Sequence, residues 1–424
     1  MKSLIKYGIV VIVTFVIAMS LGLSSGIIID RRLLSNTTPA VTSSSSSTLD
    51  MSLISQALSL IKQHYVDQAA ASNTTLTYGA ISGMVNSLGD TGHSRFMTPQ
   101  EVTQENNFTT GKYDGIGAEV SQQNGSVVIV YPIEGSPAQK AGLLPNDVIT
   151  KVDGVDMTGK QLSEVVSKIL GPANTKVDIT IYRPSTGKTI TYTITREVIT
   201  MQNVSWKQIP GTTIADVRIS SFASGVTDDL KKALNQIQQQ KMTGIILDLR
   251  DNPGGLLNEA VSTASQFLSS GYVLQEKNIN GQITKVAVES GGVATKIPMV
   301  VLINQGTASA AEIVAGALED NHRAELIGDT TFGTGTILNQ FSLSDGSAML
   351  LATQEWLTPD GKTIWHTGIT PNKTVDLAAT ATPLTPEVLS SMTAAQVKSS
   401  TDAQFLQALK AVQQVTNTQN QPAQ

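Results

Sequence analysis

Three short strand-like runs alternate with helical runs between residues 212 and 318, and this alternation constrains the fold more than any other feature of the sequence. The runs have the sequences IADVRI, GIILDLR and MVVLIN, and each is followed by a segment with helical character. Strands that alternate with helices in this way predict a mainly parallel sheet covered by helices. We therefore expect an α/β core whose chemistry lies at the carboxyl ends of its strands, in the turns after GIILDLR and MVVLIN.

A second region, residues 113–198, carries shorter strand patterns rich in β-branched residues and separated by glycine and asparagine turns. Two segments with helical character lie between these strands. We predict a small β-rich domain with two helices, inserted ahead of the core. Its predicted strands are residues 126–131, 147–152, 177–182 and 189–195.

The amino terminus contains an apolar run, residues 8–29, flanked by Lys2 and Lys6 on one side and charged residues on the other. At about 1.5 Å per residue a helix of this length crosses a bilayer. A cleaved signal peptide is the alternative, but its apolar region should span only about 7–15 residues and end at a small-residue cleavage site. We favour a single-pass anchor in the cell membrane, and a short lysine-bearing amino terminus inside leaves the remaining chain extracytoplasmic.

These patterns divide the chain into six parts. A Ser/Thr-rich linker, too poor in apolar residues to fold, follows the anchor, and a helical segment precedes the β-rich domain. The last part is expected to be helical from about residue 385 to 415 and to serve in docking or in assembly of a homo-oligomer. The parts are an anchor (1–32), a linker (33–50), a helical segment (51–112), the β-rich domain (113–198), the α/β core (199–378) and a C-terminal tail helix (379–424).

Composition argues against several classes of function. The net charge is -5 with 15% charged residues and no long basic run, so we expect no nucleic-acid partner. The chain has no cysteine and four histidines without close pairing, so we expect no metal site and no cofactor. Residues 328–335 have the glycine spacing of a phosphate-binding loop but lack its Lys and Ser/Thr, which argues against nucleotide binding.

Two turns follow the predicted buried strands, at residues 250–255 (RDNPGG) and 304–312 (NQGTASAAE). The second turn has Ser309 at the start of a helix, where backbone N–H groups point toward whatever the serine attacks. Gly254 and Gly255 add unhindered N–H groups, and together these donors are suited to an oxyanion hole. From spacing alone, the plainer interpretation is favoured, with Ser309 as a helix cap and the glycines as a tight turn, because serine caps are common.

Longer strings carry a resemblance to a known family. NPGGLLNEA, VLINQGTASAAEIVAGALEDNHRAELIGDTTFGTGT and LSDGSAMLLATQEWLTPDGKTIWHTGITPN occur in the order found in the catalytic region of the carboxy-terminal processing peptidases. Members of that family are serine endopeptidases that cut within or near the carboxyl ends of exported proteins. The resemblance covers roughly residues 51–375 and implies a crotonase-like core, Ser309 as nucleophile, and Ala310 and Gly255 as oxyanion donors.

The sequence departs from this family at the general base. The family string TFGKG carries a lysine whose neutral amine accepts the serine proton, whereas residues 331–335 have the sequence TFGTG, with Thr334 in the lysine position. Leu338 occupies the position of the glutamine that orients that lysine. A threonine hydroxyl has no useful basicity at neutral pH, so Thr334 cannot replace the lysine as base.

Two interpretations remain open. In the first, His93 is the base, since related tricorn-type peptidases use a histidine from the region before the β-rich domain. His366 is a weaker second candidate, and the glutamate of the tricorn-type tetrad falls near Trp365, so that tetrad is incomplete. In the second interpretation, the chain is a catalytically inactive pseudo-peptidase that binds peptides without cutting them.

The β-rich domain resembles a PDZ domain. Its carboxylate-binding loop corresponds to YDGIG, so the resemblance implies that Gly115, Ile116 and Gly117 bind peptide. The string EGSPAQKAGLLPNDVITKVDG is a second PDZ signature. In such domains a peptide adds as a strand while loop N–H groups hold its terminal carboxylate. The implied partners are proteins or peptides with free C-termini.

We expect the full-length chain to sediment with membranes and a chain that starts at Leu49 to stay soluble, because only the former carries the apolar run. Cell fractionation of both forms, with an alkaline wash of the membranes, measures this. Full-length protein found wholly in the soluble fraction with its amino terminus intact would contradict the anchor.

Overall fold

The computed structural model describes residues 50–90, 93–123, 125–133 and 135–419. The predicted anchor and all of the predicted linker except Asp50 lie outside these residues. Among the helices of the described ranges, none is long and apolar enough to cross a membrane.

The N-terminal part is helical, as predicted, with one short strand added. Its elements are α1 (Met51–His64), α2 (Asn73–Asn86), β1 (Arg95–Met97) and α3 (Pro99–Thr110). Helix α3 begins with a capping box, in which Thr98 and Glu101 each accept from the other's backbone N–H. It ends at Gly111, whose left-handed conformation (φ 66°) turns the chain into the β-rich domain.

The β-rich domain forms an antiparallel sheet with its own apolar core. The elements are β2 (Lys112–Gly115), β3 (Ala118–Gln123), β4 (Ser126–Pro132), α4 (Pro137–Ala141), β5 (Val148–Val152), β6 (Val155–Asp156), α5 (Leu162–Ile169), β7 (Lys176–Arg183), β8 (Lys188–Thr195) and β9 (Glu197–Thr200). The sheet order is β3-β4-β5-β7-β8, so all four predicted strands and both predicted helices are confirmed. Strand β2 pairs antiparallel with β9, which brings the entry and exit of the domain side by side.

The α/β core contains the predicted mainly parallel sheet, in the order β10-β11-β12-β15-β16-β19. Every residue of β11, β12 and β15 is buried, as expected for parallel strands covered on both faces. The core elements are β10 (Val204–Gln208), β11 (Ile214–Ile219), α6 (Val226–Gln239), β12 (Gly244–Asp248), α7 (Leu257–Phe267), β13 (Tyr272–Lys277), β14 (Ile283–Ala287), β15 (Met299–Ile303), α8 (Ala310–Asp320), β16 (Glu325–Gly328), β17 (Thr336–Ser342), β18 (Ala348–Leu357) and β19 (Lys373–Thr374).

A second, antiparallel sheet was not expected from the sequence. Its order is β1-β18-β13-β14, with β17 also paired to β18. The N-terminal strand β1 lies against β18, with Arg95 opposite Leu350. Because of this pairing, the residues just before β1 lie next to the α/β core.

The segment expected to form one tail helix forms three: α9 (Pro386–Leu389), α10 (Ala394–Lys398) and α11 (Ala403–Gln419). Thr385 and Thr393 cap the first two of these helices. The segment packs on the face of the parallel sheet that carries Ile246 and Leu302, whereas helices α6–α8 pack on the opposite face. The sheet is therefore covered on both sides, and the third layer comes from the end of the chain.

Candidate functional site

Ser309 lies between the carboxyl end of β15 and the first residue of α8. It is half-buried, and its backbone has φ 53° and ψ -119°, a region that costs a non-glycine residue free energy. An ordinary helix cap has extended backbone angles, so capping does not explain this conformation. A strained turn from strand to helix is how other hydrolases expose a nucleophilic serine.

The RDNPGG turn (residues 250–255), called the glycine loop below, packs directly against Ser309. A Cβ atom added to Gly254 would lie 2.6 Å from Ser309 Cβ and 2.9 Å from the backbone nitrogen of Ala310. Gly254 also has φ +99°, so only glycine fits without strain. The structure thus brings together the two turns that the sequence singled out.

Two backbone donors beside Ser309 are unengaged. Neither the Gly255 N–H nor the Ala310 N–H donates a hydrogen bond to another described residue. Gly255 is nevertheless fixed in place, because Phe222 N–H donates to Gly254 O (2.7 Å) and Leu256 N–H donates to Phe222 O (2.8 Å). N–H groups that are fixed in place and make no other hydrogen bond are suited to bind an oxyanion. The role of Gly255 and Ala310 as oxyanion donors stays a prediction.

Asn252 stabilises the glycine loop and was not recognised from the sequence. Its buried side chain donates to Ile219 O (2.7 Å) and accepts from Gly254 N–H (2.9 Å). Its backbone oxygen accepts from Ala308 N–H (2.9 Å), next to the serine. An asparagine in a Pro-Gly turn looks like an ordinary turn residue, so the sequence offered no signal for this bridge.

Glu312 is a second residue that sequence reasoning missed. Its fully buried carboxylate accepts four hydrogen bonds. One oxygen accepts from Thr331 Oγ1 (2.5 Å) and Gly333 N–H (2.7 Å), and the other from Ser309 N–H (2.8 Å) and Thr334 N–H (3.0 Å). Burial raises the pKa of Glu312, and the four donors oppose that rise. Glu312 thereby joins the serine to residues 331–335, the TFGTG loop.

Thr334 is buried within this loop and contacts the serine. Its Oγ1 accepts from Ser309 N–H at 3.2 Å. The position that carries lysine in the family is therefore adjacent to the proposed nucleophile. Leu338 lies in β17 and packs against the small cluster that contains Met97 and Leu350, which offers it apolar contacts only.

His93 lies in a buried, oriented position. Its Nδ1 is 3.0 Å from an oxygen of Asp90, and its buried Nε2 has no hydrogen-bond partner among the described residues. Burial opposes ionisation of Asp90, but hydrogen bonds from Ser94 and His93 outweigh it and lower the pKa of Asp90. In the tautomer whose Nδ1–H donates to this carboxylate, Nε2 is the proton acceptor.

The two candidate histidines border the TFGTG loop. The His93 ring lies 5.8 Å from the ring of Phe332 and 5.8 Å from that of His366. The His366 ring stacks on the Trp365 ring, with 5.0 Å between the ring centres. The backbone N–H of His366 donates to Gly333 O at 2.9 Å. No hydrogen bond joins either histidine side chain to Ser309 among the described residues.

The predicted carboxylate-binding loop connects β2 to β3. The oxygens of Ile116 and Gly117 accept from N–H groups of Ala138 and Ile133, whereas their own N–H groups donate to no described residue. Gly117 has φ +72°, and an added Cβ would lie 2.5 Å from Ser136 Cβ. The loop is thus held by its carbonyl groups and leaves N–H groups available to a ligand.

Comparison with known proteins gives a consistent result. Residues 213–375 match Peptidase family S41, residues 128–183 match the PDZ domain, and residues 28–100 match the Activating protease CtpB N-terminal domain. The chain is 34% identical to the carboxy-terminal processing protease CtpA of Bacillus subtilis, over 89% of this chain and 78% of that protein. It is 36% identical to a carboxyl-terminal-processing protease of Synechocystis, over 75% of each.

One solved structure, of a Bacteroides fragilis protein assigned to the S41 proteases, covers 90% of this chain and 99% of that one. The TM-score is 0.51 at 16% identity, so this likeness concerns the fold alone.

We expect Glu312→Gln to lower the free energy of unfolding by at least about 3 kcal/mol, since two bonds to a charged acceptor are lost, each worth about 1.5–3 kcal/mol. Glu319→Gln is the matched control, because Glu319 lies on the same helix, is half-buried and accepts from Asn372. It should cost about 1 kcal/mol or less. Urea unfolding measures both, and equal losses would show that Glu312 does not organise the site.

Proposed function

Because the chain belongs to the carboxy-terminal processing proteases of peptidase family S41, we propose that it is a serine endopeptidase with Ser309 as nucleophile. The observation that carries this proposal is the strained Ser309, packed against Gly254 and flanked by two unengaged N–H groups. In the reaction, Ser309 Oγ attacks the peptide carbonyl carbon. The N–H groups of Ala310 and Gly255 then stabilise the negative charge on the carbonyl oxygen.

We assign His93 as the general base. It accepts the Ser309 hydroxyl proton at Nε2 and later gives it to the leaving amine, while Asp90 holds Nδ1. Support comes from the burial of His93, its fixed orientation and its position beside the TFGTG loop. Among the described residues no hydrogen bond joins the side chains of His93 and Ser309, and such contacts often tighten only when substrate binds.

The alternative is a pseudo-peptidase. The observation that favours it is Thr334, whose hydroxyl occupies the space beside Ser309 where the family has an amine. Without a base, about 1,000- to 10,000-fold catalysis over water would remain, which is negligible for peptide bonds. In this case the molecule binds peptides and releases them intact.

The PDZ domain selects the substrate in either case. We propose that it captures protein C-termini through the N–H groups of Gly115, Ile116 and Gly117. The apolar run at residues 8–29 supports an extracytoplasmic location at the cell membrane, and the membrane fractionation described above tests it.

For catalysis, we expect Ser309→Ala to abolish cleavage of an unstructured protein and His93→Ala to reduce kcat/KM at least about 100-fold. His322→Ala is the matched control, since His322 is exposed at the far end of α8, and it should cleave like wild type. Cleavage is measured with the PDZ domain saturated by peptide. Wild type that cleaves nothing beyond Ser309→Ala would refute the enzyme, and full activity in His93→Ala would refute this base alone.

A lysine restored at position 334 separates the two functions. In an enzyme that uses His93, Thr334→Lys should be neutral or harmful, because the buried site is adapted to another base. In a pseudo-peptidase, the same change should recover some cleavage, limited by Leu338 where the orienting glutamine is missing.

For peptide capture, we expect the Ser309→Ala chain to bind peptides with free C-termini and to lose them on amidation. Gly117→Ala should weaken binding at least about 10-fold, because its Cβ would collide with Ser136 in the loop. Gly154→Ala is the control, with a similar φ of +78° and open space around it. Calorimetry measures both, and equal affinity for free and amidated peptides would refute carboxylate capture.

A further inference from the structure

We propose that the C-terminal segment, residues 379–419, supports the oxyanion donors, and that Asp402 is a positioning residue acting through Arg250. The proposal rests on the proposed function of Ser309 and Gly255. It assigns to the end of the chain a task in catalysis rather than in packing alone.

Arg250 is the first residue of the glycine loop, and its guanidinium is almost completely buried (1% exposed). One side of it contacts β12, through Asp248 at 3.0 Å from Nε and 2.8 Å from Nη2. The other side contacts the C-terminal segment, where Nη1 donates to both oxygens of Asp402 (3.1 and 2.9 Å) and Nη2 to Leu384 O (3.1 Å). Nη1 also donates to Gln404 Oε1 (3.4 Å), so four of the six hydrogen bonds of this side chain go to the segment.

Asp402 organises the segment at the same point. Its fully buried carboxylate also accepts from Leu384 N–H (2.8 Å) and from Phe405 N–H (2.9 Å) at the start of α11. The Asp402 carboxylate thus fixes the backbone of Leu384, whose oxygen also accepts a hydrogen bond from Arg250. Loss of the Asp402 charge would disturb two of the three partners of Arg250 in the segment, Asp402 itself and Leu384, and leave Gln404.

Asp402 balances one of two buried positive charges. Arg218 and Arg250 supply two positive charges, and Asp248 and Asp402 supply two negative ones. Asp216 lies in the same group, but neither of its buried oxygens has a hydrogen-bond partner among the described residues. Burial and the neighbouring Asp248 raise the pKa of Asp216, which disfavours its ionisation. A buried arginine that loses its partner carries an uncompensated charge, which is strongly unfavourable.

Movement of Arg250 would be transmitted along the glycine loop. Its backbone oxygen accepts from Arg218 Nη2 (3.0 Å), and the next residue, Asp251, has φ 57° and donates its N–H to Asn304 (2.9 Å). Gly254 follows three residues later, in contact with Ser309. Oxyanion donors act on charge that develops in the transition state, so misplaced donors reduce kcat and leave KM largely unchanged.

The experiment compares three substitutions in the full chain. Asp402→Asn keeps the side-chain volume and removes the charge, and we expect kcat to fall at least about 10-fold with KM within about twofold. Phe405→Leu weakens the buried packing of the segment without a contact to Arg250, and it should lower Tm while kcat stays at the wild-type value. Asp376→Asn changes an exposed carboxylate just before the C-terminal segment and should alter neither Tm nor kcat.

Amide hydrogen exchange of the glycine loop gives a readout that does not need activity. We expect exchange in a peptide covering residues 249–256 to be at least about 10-fold faster in Asp402→Asn, and unchanged in Phe405→Leu and Asp376→Asn. Faster exchange with inactive wild type would support the coupling while the proposed peptidase function fails. Unchanged exchange in Asp402→Asn, or an equal loss of kcat in Phe405→Leu, would overturn the inference.

Discussion

The site depends on one buried carboxylate. Glu312 accepts from Ser309 N–H, from two backbone N–H groups of the TFGTG loop and from Thr331 Oγ1. These donors come from two segments, the turn that carries Ser309 and the TFGTG loop, and a buried donor without an acceptor costs about 1–3 kcal/mol. His93 and His366 in turn lie against the TFGTG loop. Glu312 therefore joins the Ser309 turn to the loop that carries the lysine position and borders the candidate base, alongside the direct contact of Ser309 N–H with Thr334 Oγ1.

This arrangement explains how the lysine position can hold threonine without a collapse of the site. Residue 334 is bound to Glu312 through its backbone N–H, a contact available to any residue except proline. The side chain only fills the space beside Ser309, where the threonine hydroxyl accepts the serine N–H. Ser309 N–H thus keeps an acceptor in Glu312 whatever side chain stands at position 334, so the shape of the site and its catalytic competence are separable.

The sequence predicted what is local and missed what is distant. Alternating buried strands predicted the parallel sheet, and turns at strand ends predicted that Ser309 and Gly254 would meet. The pairing of β1 with β18 was not predictable, because it joins residues more than 250 positions apart and β1 is only three residues long. Glu312 resembled a common helix-start residue, and only the fold turns it toward the TFGTG loop.

The ribbon of β2 and β9 has a consequence of another kind. Lys112 faces Thr200 and Gly115 faces Glu197, so the ends of the inserted domain are neighbouring partners in an antiparallel pair, about 5 Å apart. A short turn could replace the whole insert without stretching the core, and a foreign domain with adjacent termini could be grafted at the same point. The β2–β9 ribbon is in this sense an insertion point, at which one recognition domain can be exchanged for another while the α/β core stays intact.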